Sequence, residues 1–107
     1  MLKKEAPKEE YYQDALTDVS MEIMHLLIKK HIDYGPKNLE RFGLYGILIR
    51  VSDKLERLIN IVERGEALVA EETIEDNLKD IAGYMQNALL MLRGKLDLPL
   101  KQKDSVH

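Results

Sequence analysis

The chain has 107 residues, 45% of them hydrophobic and 33% charged, a net charge of −3 and no cysteine. That length makes one domain, and the composition is that of a soluble helical protein. Disulfides and thiolate metal sites are excluded, and a net negative chain is a poor general binder of nucleic acid, whose affinity rests on phosphate neutralisation.

Residues 1–8 read as a flexible N-terminus, and one domain is expected over 9–94. The start, MLKKEAPKEEYY, lacks the apolar centre of a secretory leader. No apolar run approaches the ~18 residues of a membrane span, so a cytoplasmic protein without membrane contact is expected. Tyr12, Leu16, Val19, Ile23, Leu26 and Leu27 recur at three- and four-residue steps and predict a helix over about 9–32. Asp18, Glu22, His25 and Lys29 form a polar strip beside them. It is either a solvated face with i,i+4 pairing or a strip in which Glu22 is a metal ligand or His25 a base. Asp33-Tyr34-Gly35-Pro36 ends the helix, with Gly35 suited to a left-handed C′ position. Residues 37–44 are a connector with one turn of helix. The alternative to a plain helix stop is a loop that closes over a ligand, with Asp33 or Asn38 touching it.

A second main helix is predicted from about Leu44 to Arg64, stopped by Gly65. Its apolar stripe is Ile47, Val51, Leu55, Leu58 and Val62, and Arg50, Asp53 and Arg57 form a charged stripe beside it. The loop over 66–72 is acidic. Thr73 is a natural N-cap, with Asp76 as its capping-box partner. The third main helix runs to about Leu92, with Ile74, Leu78, Ile81, Met85, Leu89 and Leu92 as its core stripe. Asp76, Asp80, Tyr84 and Asn87 lie nearly opposite. Residues 95–107 read as a loose tail. No strand pattern occurs. The expected fold is all-α, three main helices plus a short connector helix or turn, completed as a bundle by homo-oligomerisation.

The chemistry on offer is carboxylate and cation chemistry. There is no glycine-rich phosphate loop and no paired histidine spacing. Carboxylates from facing helices suit Mg²⁺, which takes oxygen ligands and usually keeps substrate phosphates in its shell. Arg50, Lys54 and Arg57 would neutralise those phosphates. Asp53 and Asp80, neither with a capping role, are expected to approach each other and share the cation as the catalytic pair. The plain alternative is an intrahelical ladder of salt bridges on a solvated face.

Three segments together, DYGPKN (33–38), GILIRVSDKLERL (46–58) and EETIEDNLKDIAGY (71–84), resemble the first of the nucleotide modification associated domains, a small family of phages and bacteria. That family is similar to the all-α nucleoside triphosphate pyrophosphohydrolases of the MazG and dimeric dUTPase group. The resemblance covers about half of the chain. It implies Mg²⁺-dependent cleavage of a nucleotide between its α and β phosphates. Asp53, Asp76 and Asp80 would serve the metal, Arg50, Lys54 and Arg57 the phosphates, and Asp33, Tyr34 and Asn38 the loop. Two features depart from the pyrophosphohydrolase pattern. The second acidic pair is spaced four apart, Asp76 to Asp80, and position 77 is Asn where Thr is expected. Three readings therefore stay open. The chain is a nucleotide hydrolase, or a nucleotide-binding module that accompanies base modification or sequesters a nucleotide signal in phage–host conflict, or a helical interaction protein without a ligand.

Overall fold

A computed structural model describes residues 10–65 and 70–101, the side chains of 70–73 excepted. The expectations for residues 1–8, for the acidic loop and for the end of the tail fall on residues outside that set, wholly or in part. The described residues hold four helices and no strand: α1 (Tyr12–Tyr34), α2 (Lys37–Glu40), α3 (Gly43–Arg64) and α4 (Ala70–Leu92). The all-α expectation and the single connector turn are both met. Among the described residues no helix is long and apolar enough to cross a membrane.

α3 and α4 form the main packing unit, an antiparallel hairpin; α1 packs on α4 and α2 on α3. Ile47 and Leu58 of α3 and Ala88 of α4 are buried, with Ile23 of α1. Asn77 is a buried polar side chain in α4. α1 and α4 come close at Gly83, where a Cβ would stand 2.9 Å from Leu27 Cδ2. α4 therefore has two covered faces. The one carrying Asp80, Tyr84 and Asn87, expected to lie opposite the core, is the one turned toward α1.

Several boundaries differ from expectation. α4 is already helical at Ala70, so Thr73 lies inside it and does not cap it. Asp76 thereby loses its capping role. α4 ends in a Schellman turn, with Gly94 N–H donating to Met91 O and Lys95 N–H to Leu90 O. Gly94 takes φ 70° for this. Leu96 then returns to the core at 6% exposure, so packed structure continues beyond residue 94.

α1 runs two residues further than the pattern suggested and stops at Gly35. Gly35 has φ 74° as expected but ψ 175°, not the left-handed helical value. The Pro36 ring explains this, because it disfavours helical ψ in the residue before it. That combination of angles is accessible essentially to glycine alone. Nothing lies within 4 Å of a Cβ built at Gly35, so a side chain there meets backbone strain and no clash. Gly35→Val is expected to cost about 1–3 kcal/mol, read as a drop of several degrees in Tm. An unchanged melting curve would contradict this backbone assignment.

The core is much smaller than the stripes promised. Leu16, Val19, Leu55, Val62, Leu78 and Leu89, all expected inside, are 46–58% exposed. α1 also carries a second apolar stripe on its far side, Met21, Met24, Ile28 and Ile32, likewise exposed. A helix apolar on both sides needs cover on both.

Candidate functional site: a cationic cleft between α1, α3 and α4

α1 carries Leu26, Leu27, Lys30 and Tyr34 on the face turned toward α4, and Lys30 interrupts that otherwise apolar stripe. Where α1 ends, the chain turns at Gly35 and lays Asn38 and Leu39 beside α3. A cleft of about 240 Å³ opens between these segments. Its polar lining is Lys30, His31, Tyr34, Asn38, Arg50, Lys79, Asp80, Tyr84 and Asn87, over a floor of Leu26, Leu27, Leu39 and Gly83.

Asp80 is the centre of the charge arrangement. Lys30 Nζ donates to its Oδ1 at 3.1 Å, and Lys54 Nζ donates to its Oδ2 at 3.3 Å. One carboxylate thus ties α1, α4 and α3 together. Asp80 and Lys54 are each about a quarter exposed, so water screens these pairs less than pairs on an open surface. Lys79 makes a second bridge, with Glu22 Oε1 at 2.9 Å and Glu75 Oε2 at 3.3 Å. The Glu22 hydrogen bond, and then that of Glu75, raises the Lys79 pKa above its ordinary value, so the ammonium persists throughout the neutral range. Arg50 Nη2 donates to Asn38 Oδ1 at 3.4 Å. Among the described residues no carboxylate pairs with Arg50.

The sequence-derived candidates divide. Tyr34, Asn38, Arg50 and Asp80 converge on the cleft. Lys54 stands at its edge through its bond to Asp80. Asp33, Asp53, Arg57 and Asp76 are exposed and do not line it. The α3 side chain that meets Asp80 is Lys54, and the neighbouring Asp53 projects about 100° away around the helix. Glu22, considered as a metal ligand, is the partner of Lys79.

This donor set does not fit a divalent cation. Both oxygens of Asp80 are engaged by ammonium groups. No three His, Asp or Glu side chains gather at one place among the described residues. One chain's described side chains do not assemble a Mg²⁺ shell.

Lys30, His31 and Lys79 were not singled out from the sequence. Lys30 left a signal, a cation in the middle of an apolar stripe. Lys79 left none, because its role depends on how α1 crosses α4. Chemically, the cleft offers several cations, one neutralised carboxylate, two side-chain amides and two phenol rings. Such a set suits a small anion with a flat ring attached. No protein-family model matches the chain, and no curated protein or solved structure matches it either.

Proposed function

We propose that this chain is a nucleotide-binding protein, and that its cleft takes a mononucleotide-sized ligand with the phosphate on the cationic side. The carrying observation is the convergence of Lys30, Arg50 and Lys79 with Tyr34 and Tyr84 around one cleft of about 240 Å³. The arginine fork matches phosphate oxygens in pairs. Tyrosine faces accept a stacked base, worth about 1–3 kcal/mol per base in single-strand binders. Small-molecule sites span about 300–1,000 Å³, so this cleft, at about 240 Å³ just below that range, favours one nucleotide over a dinucleotide.

Binding without cleavage is favoured over hydrolysis. The carboxylate in the cleft is Asp80, and two ammonium groups hold it. A carboxylate acting as general base needs an oxygen within hydrogen-bond reach of the attacking water, and both Asp80 oxygens already accept from ammonium groups. The resemblance to nucleotide modification associated domains agrees with a nucleotide ligand and leaves the base and sugar open.

The test is a calorimetric titration of nucleoside mono- and triphosphates, ribo and deoxy, each with and without Mg²⁺. The same mixtures are assayed for pyrophosphate and orthophosphate. Saturable binding of at least one nucleotide, without product release, is expected. Release of pyrophosphate would replace the binding reading with the hydrolase reading. No binding across the panel would remove both.

A further inference from the structure

The charges around the cleft are unevenly placed. Asp80 offsets one positive charge of the Lys30 and Lys54 pair that holds it. The other lysine charge remains, and so does that of Arg50, which pairs with no carboxylate among the described residues. Two positive charges are thus in excess on that side. At Lys79 the balance reverses. Glu22 and Glu75 both hold that one ammonium group, so one negative charge is in excess there. Among the described residues no lysine or arginine besides Lys30, Arg50 and Lys79 lines the cleft.

We infer that the cleft selects a nucleoside monophosphate over the di- and triphosphates of the same base, by matching the charge and the free oxygens of a terminal phosphomonoester. This inference rests on the nucleotide reading of the cleft. A phosphomonoester carries about −1.5 to −2 charge at pH 7 and three acceptor oxygens. The excess on the side of Lys30 and Arg50 balances that charge. Arg50 supplies a fork of two parallel N–H donors, and Lys30 supplies a third donor. Lys30 is 43% exposed at its side chain and Lys54 24%. Lys30 is therefore the one free to turn toward a ligand, while Lys54 keeps hold of Asp80.

A longer phosphate chain fits in neither direction. With its innermost phosphoryl group between Lys30 and Arg50, fewer free oxygens meet the three donors, and the tail adds negative charge. Toward Lys79 that tail meets the excess charge of Glu22 and Glu75, and like charges repel more strongly where water is partly excluded. With its terminal phosphate in that place instead, the intervening phosphoryl groups carry the base away from Tyr84. That residue leaves α4 only one turn, about 6 Å, beyond Asp80. At about 240 Å³ the cleft has no room for base and chain together.

Titration calorimetry without Mg²⁺ is the test, with the four deoxynucleoside monophosphates, their triphosphates and the methyl esters of the monophosphates. A monophosphate is expected to bind at least about tenfold more tightly than the triphosphate of its base. It is also expected to bind about tenfold more tightly than its methyl ester, which lacks one charge and one free oxygen. Glu22→Gln with Glu75→Gln should raise triphosphate affinity more than monophosphate affinity. Both side chains are more than half exposed, so the variant keeps the fold. Triphosphates or methyl esters that bind as tightly as the monophosphates, or an unchanged mono- to triphosphate ratio in the glutamine variant, would overturn this inference and leave the cleft a nucleotide site. Absence of binding by every nucleotide would overturn the cleft reading and this inference with it.

Discussion

Asp80→Asn is expected to destabilise the ligand-free protein by about 1–3 kcal/mol. The substitution keeps the shape and removes the charge. Lys30 and Lys54 would then face each other with no anion between them, and the amide oxygen could still accept from only one of them, while the other would meet the amide NH₂ and lose its bond. Breaking a half-buried pair by removing one partner costs more than the pair contributes when intact, because the remaining charges are left uncompensated. For a domain near 100 residues, each kcal/mol lowers Tm by about 4–8 °C. Inorganic phosphate should return part of the loss by replacing the missing carboxylate between the two ammonium groups, as a ligand of the native state alone does. Thermal melts of both proteins in chloride and in phosphate check this. A shared-cation site predicts the opposite sign. There, Asp80 would be crowded by another carboxylate, and Asn would raise the metal-free Tm.

Arg50→Ala is expected to lower nucleotide affinity ten- to a hundredfold. A hydrogen bond to a charged group is worth about 1.5–3 kcal/mol, and each 1.4 kcal/mol is tenfold in Kd. Arg50 lines the cleft, and among the described residues its hydrogen bond is the 3.4 Å contact to Asn38. Its donors are therefore available to a phosphate at little cost. Arg50→Lys should recover part of the affinity, since a point charge remains but the fork is lost. Arg57→Ala and Asp53→Asn should bind as the wild type does, because both residues are exposed outside the cleft. Titration calorimetry of the four variants is the measurement. Equal losses in Arg50→Ala and Arg57→Ala would indicate a diffuse surface attraction in place of a site.

The helices were legible in the sequence because apolar spacing and glycine stops are local signals. Gly35, Gly65 and Gly94 end three helices where the pattern ends. The start of α4 was misread because Thr73 is a good cap by type, and nothing local shows that helix precedes it. The core was overcounted for a different reason. Periodicity reports that Leu55, Val62, Leu78 and Leu89 belong to an apolar face, and not whether the chain's own helices cover it. Of the loop and arginine-stripe candidates, Tyr34, Asn38 and Arg50 line the cleft, whereas Asp33 and Arg57 do not. The pairing of Asp80 was not found. Two acidic positions on facing helices suggested a cation, and the structure supplies two lysines, one of them from α1. Helical spacing within α3 cannot decide between Asp53 and its neighbour Lys54. Only the rotation of α3 against α4 does, and that is set by the burial of Ile47 and Leu58.

Amide chemical shifts of ¹⁵N-labelled protein, followed during titration with a deoxynucleoside monophosphate, test directly whether a nucleotide enters the cleft between α1, α3 and α4. Saturating shifts are expected at Lys30, His31, Asn38, Arg50, Tyr84 and Asn87, with small changes at Asp53, Arg57 and Asp76. Shifts centred on Asp53, Arg57 and Asp76, or none at saturating ligand, would contradict it.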